Sequence, residues 1–319
     1  LMTYSQSQLE DKNGINKSTT DIFETFFKKM NIPAAQVRII QNGITKYSRN
    51  FSGKDLTIWD KQLDVNVHDN SLFRIASVSK TVTAIAILYL IENGYLKLED
   101  KMINILISGK IVDSKQIFDK RMYDITVVDL LRHSGGWDTS LGLDLSAPYA
   151  KNIFPEIVLG TMLTPFDPQY DAIKMAGTGK LANQIDLIRF MMHFPLNFSP
   201  GTREKYSNFG YNILGRIIEV ISGMPYEKFI IQNLFSDFDY PVFIGNELIN
   251  RKHPDEVYYF DGPTDQKEFS IHPDIPYKTP SAYGSFKLEV MDAHGGWVMS
   301  ASDLAKFGMN VLNNKFFGQ

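Results

Sequence analysis

The chain of 319 residues contains no cysteine. This absence excludes a disulfide framework, a thiolate nucleophile and any metal site or cluster built on cysteine ligands. The sequence also lacks a long hydrophobic run. The longest, residues 84–91, is far shorter than the roughly 20 residues that a membrane span requires, so we interpret it as part of a buried helix.

Strong charge of one sign is also missing. The formal net charge is -3, and acidic and basic residues are scattered along the whole chain. This pattern provides neither a basic stripe for nucleic acid nor a polybasic arm for a membrane, and it favours a small-molecule or peptide substrate. The histidines show no HExxH or other paired ligand spacing, so no metal site is predicted. Composition does not indicate an oligomeric state.

The N-terminal part of the chain predicts a helix followed by a hairpin. In residues 21–30 the apolar side chains recur at the spacing of one buried helical stripe. Two strand-like segments, residues 37–40 and 44–51, then flank Asn42 and Gly43, a pair that favours the positive φ values of a type I′ turn. A two-stranded hairpin is only marginally stable alone, so we expect further strands elsewhere in the sequence.

The remainder of the sequence predicts mainly helices. Residues 77–93 are apolar nearly all round and are followed by Gly94, a pattern typical of a buried helix with a glycine stop. Further helices are predicted over residues 125–131 and 209–222, with Pro225 as the first residue of the next one, and from Ser300, where Asp303 completes a capping pattern. Residues 237–283 contain many prolines and are predicted to form an extended insertion over the surface.

Ser77 and Lys80 lie one helical turn apart, so their hydroxyl and amine project from the same face at the start of the buried helix. Partial desolvation and the positive end of the helix dipole both favour a neutral lysine, which could accept the serine proton. A Ser-x-x-Lys match is nevertheless expected by chance about once in a chain of this composition.

Tyr206 and Asn208 form a second candidate group about 130 residues downstream. The phenol could relay a proton to a leaving group, and the carboxamide offers both a donor and an acceptor for an amide or ester carbonyl. The alternative is a tyrosine packed at a helix start with an asparagine near the N-cap. Neither pair of residues decides the function by itself.

Taken together, several segments resemble the family of class C β-lactamases and penicillin-binding proteins, which includes D-alanyl-D-alanine carboxypeptidases and family VIII esterases. The segments appear in the order typical of that family and extend over most of the chain. They are residues 73–80 (FRIASVSK), 93–100 (NGYLKLED), 125–137 (ITVVDLLRHSGGW), 200–211 (PGTREKYSNFGY) and 295–305 (GGWVMSASDLA).

The resemblance implies a serine hydrolase that forms an acyl-enzyme on Ser77 and needs no cofactor. Lys80 would be the base partner, Tyr206 the proton relay and Asn208 a substrate-positioning residue, while the Ser77 backbone N–H would be one oxyanion donor. The implied fold is α/β (α+β), β-lactamase/transpeptidase-like, with an antiparallel sheet flanked by helices and a mainly helical lobe. One catalytic domain over residues 1–319 would divide into an α/β lobe (1–76 and about 285–319) and a helical lobe (77–284).

The sequence departs from the family pattern in one respect. The family's third motif, lysine-threonine-glycine or histidine-x-glycine on a sheet strand, does not appear after the segment 295–305. Lys278-Thr279-Pro280 is not a substitute, since proline removes a strand N–H. We therefore expect that the C-terminal strands are missing from this chain, and a non-catalytic protein used for binding or assembly is the alternative to a hydrolase. Residues 1–20 lack the pattern of a signal peptide, whereas the family's work on cell-wall peptides favours a periplasmic or extracellular location.

Overall fold

A computed structural model describes most of the chain. The described residues are 15–53, 56–58, 61–63, 65–138, 141, 157–158, 174–175, 182–259, 267–272, 275 and 278–318. Within these ranges the architecture combines helices with antiparallel strand pairs. The predicted α+β class is therefore confirmed. The described residues contain no helix with the length and apolar character needed to cross a lipid bilayer.

The first unit is a helix packed on a hairpin. Helix α1 (Ile15–Met30) begins earlier than predicted, and strands β1 (Ala34–Gln41) and β2 (Ile44–Ser52) pair in antiparallel register. Asn42 and Gly43 have φ values of 51° and 74°, as the type I′ turn requires. The predicted hairpin is confirmed. Its small hydrophobic cluster is separate from the main core and is built on Phe27, Tyr47 and Phe51.

A three-stranded antiparallel sheet leads directly to the candidate site. Strand β5 (Phe73–Arg74) pairs with β11 (Trp297–Met299), which pairs on its other side with β8 (Phe243–Ile244). Shorter pairs join β3 (Leu56–Ile58) to β4 (Lys61–Leu63) and β6 (Ile157–Val158) to β7 (Lys174–Met175). Because β5 ends just before Ser77, the sheet fixes the position of the predicted nucleophile.

The helical part surrounds α2 (Ser79–Glu92), which is buried along most of its length. Its neighbours α3 (Met102–Ser108), α4 (Val127–Leu131) and the longer α6 (Asn208–Ser222) pack together in the main hydrophobic core. The other helices of this part are α5 (Gln184–Met191), α7 (Tyr226–Leu234) and α8 (Ala301–Leu312). The predicted helices are confirmed, with differences of one or two residues at their ends.

Side-chain caps explain where several of these helices begin. The Ser207 hydroxyl accepts the Gly210 N–H at 3.0 Å at the start of α6, and Ser300 accepts the Asp303 N–H at 3.0 Å before α8. Both contacts satisfy backbone donors that have no partner within the helix. Pro225 is the N-cap of α7 rather than its first helical residue, a shift of one position from our prediction.

The segment 237–283 is more deeply packed than we predicted. Strand β8 lies within the three-stranded sheet, and β9 (Lys267–Phe269) pairs with β10 (Lys278–Pro280). Glu256 and Tyr283 are buried. The description of this whole segment as a surface insertion is therefore wrong for these parts, while residues 260–266, 273–274 and 276–277 lie outside the described residues.

An arginine accounts for this packing. Arg74 on β5 pairs with the buried Glu256 carboxylate at 3.2 Å and donates to the Ala282 and Asn246 carbonyls. Its guanidinium also lies 4.2 Å from the centroid of the Tyr259 ring. A proline-rich segment can thus be held on the core by one partly buried cation, which proline and aspartate content alone does not reveal.

Candidate active site

Ser77 lies in a single turn of 3₁₀ helix, Ala76–Val78, between β5 and α2. The residue before it, Ala76, has a φ of 45°, a left-handed conformation that is costly for a residue with a Cβ. Ser77 itself is exposed. The strained turn therefore presents a serine hydroxyl at the head of a buried helix.

Lys80 lies in the first turn of α2 and is only 6% exposed. Its Nζ is 3.2 Å from Ser77 Oγ and donates to the His294 carbonyl at 2.9 Å. Burial and the positive helix end both favour the neutral amine, whereas the carbonyl contact favours the ammonium form. These opposing effects act on the group that faces the serine hydroxyl.

Tyr206 also contacts the serine hydroxyl. Its hydroxyl donates to Ser77 Oγ at 2.7 Å, although 129 positions separate the two residues. The Lys80 Nζ also lies 4.6 Å from the centroid of the Tyr206 ring. The structure thus brings together the serine, the lysine and the tyrosine that the sequence singles out.

Asn208, the fourth candidate, is the first residue of α6 and is 4% exposed. Its Oδ1 is buried and accepts no hydrogen bond from the described residues. An unpaired buried carboxamide oxygen is costly, and such groups often belong to functional sites. No hydrogen bond within the described part of the chain joins Asn208 to Ser77 or Lys80.

His133 supports Tyr206 and the backbone that follows it. Its ring packs between those of Tyr206 and Tyr211, with centroid distances of 4.8 and 5.0 Å. Its Nδ1 accepts the Ser207 N–H at 3.0 Å. Burial, and secondarily the nearby Lys80 charge, lower the pKa of His133, which keeps Nδ1 free to accept.

The sequence singled out residues 295–305 as a family segment, but it did not reveal that the neighbouring residues 293 and 294 contact α2 through their backbone carbonyls. No role at the site was predicted for His294, yet its backbone carbonyl accepts a hydrogen bond from Lys80. Position 296 requires a glycine, because a Cβ there would lie 3.0 Å from Asp292 Cα and 3.1 Å from the Leu288 carbonyl oxygen. The glycine pair was the available signal, since it often marks a close backbone approach. No group of three or more potential metal-ligating side chains occurs among the described residues.

The comparisons with known proteins agree on one family. The family model described as beta-lactamase matches residues 20–317. A putative D-alanyl-D-alanine carboxypeptidase of Escherichia coli O157:H7 is 23% identical over 263 residues, which cover 80% of this chain and 54% of that protein. The chain therefore spans about half the length of the curated relatives it matches.

Solved structures share the fold at low sequence identity. The D-amino acid amidase from Ochrobactrum anthropi SV3 superposes with a TM-score of 0.62 at 17% identity, covering 96% of this chain and 72% of that one. The octameric penicillin-binding protein homologue from Pyrococcus abyssi superposes with a TM-score of 0.59 at 23% identity, covering 93% and 56% respectively. These similarities establish the β-lactamase/transpeptidase-like fold.

Proposed function

Since this chain belongs to the beta-lactamase family, we propose that it is a serine hydrolase that forms an acyl-enzyme on Ser77. The observation that carries the proposal is the convergence on Ser77 Oγ of the Tyr206 hydroxyl at 2.7 Å and the Lys80 amine at 3.2 Å. A serine with a potential base and a potential proton donor in direct contact has the arrangement that nucleophilic catalysis requires.

In the proposed reaction, neutral Lys80 accepts the Ser77 proton while Oγ attacks the substrate carbonyl carbon. The resulting oxyanion is stabilised by the Ser77 backbone N–H, a contribution of about 3 kcal/mol for one donor. Tyr206 then delivers a proton to the leaving amine or alkoxide as the scissile bond breaks, and the Lys80 proton restores the phenol. Water attacks the ester by the same groups in reverse and releases the acid.

The substrate class that we propose is a β-lactam, a D-amino-acid peptide or a small ester. Support comes from relatives named as a putative D-alanyl-D-alanine carboxypeptidase and a D-amino acid amidase. In this proposal Asn208 positions the substrate amide or ester group, because a carboxamide offers both a hydrogen-bond donor and an acceptor. The choice among these substrates depends on the shape of the cleft around Ser77.

Covalent labelling tests the proposal. The chain is incubated with a fluorescent penicillin and, separately, with a fluorophosphonate, and the adduct is mapped by mass spectrometry. We expect a single adduct on Ser77, none in Ser77→Ala, and nearly none in Lys80→Ala. Tyr206→Phe should lower the labelling rate about 10²-fold or more with less effect on probe binding, since positioned acid–base groups contribute factors of this size.

Tyr95→Phe is the matched control, because Tyr95 is exposed beyond the opposite end of α2 and should label at the wild-type rate. A folded wild-type protein that never labels with either probe would favour the non-catalytic alternative. Equal labelling of wild type and Ser77→Ala would exclude Ser77 as the nucleophile.

A further inference from the structure

A chain of buried hydrogen bonds lies directly beneath Lys80. Thr83 follows Lys80 by one helical turn on α2, and its hydroxyl lies 2.5 Å from the Ala293 carbonyl and 2.6 Å from the Tyr226 hydroxyl. The Trp297 indole N–H donates to the same tyrosine oxygen at 3.1 Å. Thr83, Tyr226, Trp297 and Ala293 are almost completely buried. We call the side chains of Thr83, Tyr226 and Trp297 the Thr83 chain.

The direction of every hydrogen bond in the Thr83 chain is determined by its ends. A carbonyl oxygen only accepts, so the Thr83 proton points to Ala293, and the Thr83 oxygen must accept from Tyr226. The indole N–H only donates, so the Tyr226 oxygen accepts it. A second acceptor for the Thr83 proton, the Ser79 carbonyl, is more distant at 3.5 Å. The Thr83 chain thus has one proton order and leaves no member without a partner.

The geometry links this chain to the candidate base. Thr83 and Lys80, three residues apart on one helix face, bind the consecutive carbonyls of Ala293 and His294. At the other end of the same segment, the backbone N–H of Trp297 donates to Ser79 Oγ at 3.3 Å. Residues 293–297 are therefore fixed to α2 on both sides of the contact with Lys80.

We propose that Thr83, Tyr226 and Trp297 are positioning residues that hold the His294 carbonyl against Lys80 Nζ and thereby aim the amine at Ser77. Among the described hydrogen bonds, none joins the side chain of any of the three to Ser77 Oγ. Their proposed effect is exerted through the backbone of residues 293–294. The proposal rests on the proposed function for the role of Lys80 as base, but the position and protonation of Lys80 can be measured without any reaction.

The test compares Thr83→Val, which keeps the side-chain shape and removes the hydroxyl, with Thr81→Val, the same change at an exposed position of α2. Protein is prepared with lysine enriched in ¹³C at Cε, and the Lys80 signal, assigned through Lys80→Arg, is titrated by NMR. The pH dependence of fluorophosphonate labelling is recorded in parallel. Groups that face Lys80 and are present in both variants are Tyr206, Tyr211, His133 and His294.

In Thr83→Val we expect the Lys80 titration midpoint to fall by at least 0.5 pH unit, because a displaced carbonyl no longer stabilises the ammonium. The labelling rate at its plateau should fall at least tenfold, because Nζ is no longer held toward Ser77. Thr83→Ser, which restores the hydroxyl, should recover both values, and Thr81→Val should change neither. A purely structural role would lower thermal stability and leave the midpoint unchanged.

A Lys80 midpoint in folded Thr83→Val that equals the Thr81→Val midpoint would overturn the proposal. If Thr83→Val does not fold, Tyr226→Phe decides by the same measurement, since it removes the middle hydroxyl of the Thr83 chain. Absence of labelling in the wild type would count against the proposed function alone, because the NMR midpoint still reports on the Thr83 chain.

Discussion

At the scale of single residues, His294, which lies beside the site, has the most strongly shifted pKa among the described histidines. Burial, and then the charges of Lys80 and Arg216, lower the pKa of His294 to about 3. Its Nδ1 also lacks a hydrogen-bond partner among the described residues. A histidine that is neutral when folded but protonates near pH 6.5 when unfolded makes stability depend on pH.

Stability should therefore fall as the solution is acidified below pH 6.5. Between pH 6.5 and about 3 the unfolded chain binds the His294 proton and the folded chain does not, so the free energy of unfolding decreases as pH decreases. From pH 7.5 to 5.0 this one group contributes a loss of about 2 kcal/mol. Urea unfolding at both pH values measures it.

His294→Asn removes the titrating group, and the difference between the two pH values should shrink by about 2 kcal/mol. Ile188→Val is a suitable control, because it lowers stability in the same buried core without changing a titratable group. An unchanged pH dependence in His294→Asn would show that this imidazole is not the source.

At the scale of an element, α2 is determined by its two ends. The strained Ala76 turn positions Ser77 and Lys80 at its start, and Gly94 closes its C-terminus with a φ of 75°. The Gly94 N–H donates to the Ile91 carbonyl at 3.0 Å and the Tyr95 N–H to the Leu90 carbonyl at 2.9 Å, which is a Schellman motif. The closing glycine therefore satisfies carbonyls that the helix leaves without partners.

Two glycine-to-alanine substitutions should have opposite effects. Gly94→Ala places a Cβ in the left-handed region and should destabilise the protein by about 1 kcal/mol, although no neighbour lies within 4 Å. Gly308→Ala, within α8 and equally uncrowded, should stabilise it by about 0.5 to 1 kcal/mol through helix propensity. Urea unfolding midpoints of the two variants measure the contrast. The same sign for both would contradict this account.

At the scale of the whole molecule, the described residues contain two hydrophobic clusters of very different size. The main core joins α2, α6 and their neighbours. The other cluster has three buried side chains, Phe27, Tyr47 and Phe51, between α1 and the hairpin. Regions with few buried apolar contacts open at lower free energy than the core.

Hydrogen exchange should therefore separate these two regions. Amides of β1 and β2 should exchange faster than those of α6 under native conditions, as measured by mass spectrometry of peptides. Phe51→Leu should increase exchange in residues 34–52 and leave α6 unchanged, whereas Ile217→Val, in the main core, should increase exchange in α6. Equal opening free energies for the hairpin and α6 would indicate a single cooperative unit.

The sequence by itself determined the local features of this protein. The Asn42-Gly43 turn, the cap at Ser300 and the apolar pattern of α2 depend on neighbours in the chain, and so their structures could be predicted. Motif order was also sufficient to indicate the family and to select Ser77, Lys80 and Tyr206. These features rest on backbone preferences and short-range hydrogen bonds, which a linear pattern records.

Only the tertiary structure decided which distant groups meet. Residues 237–283 were predicted to be a surface segment, but the ion pair of Arg74 with the buried Glu256 attaches part of it to the sheet. The His294 carbonyl that receives Lys80, and the hydroxyl contact of Thr83 with Tyr226, join residues 214 and 143 positions apart. Such contacts depend on how helices and strands pack, because burial makes each polar group find a partner wherever the fold provides one.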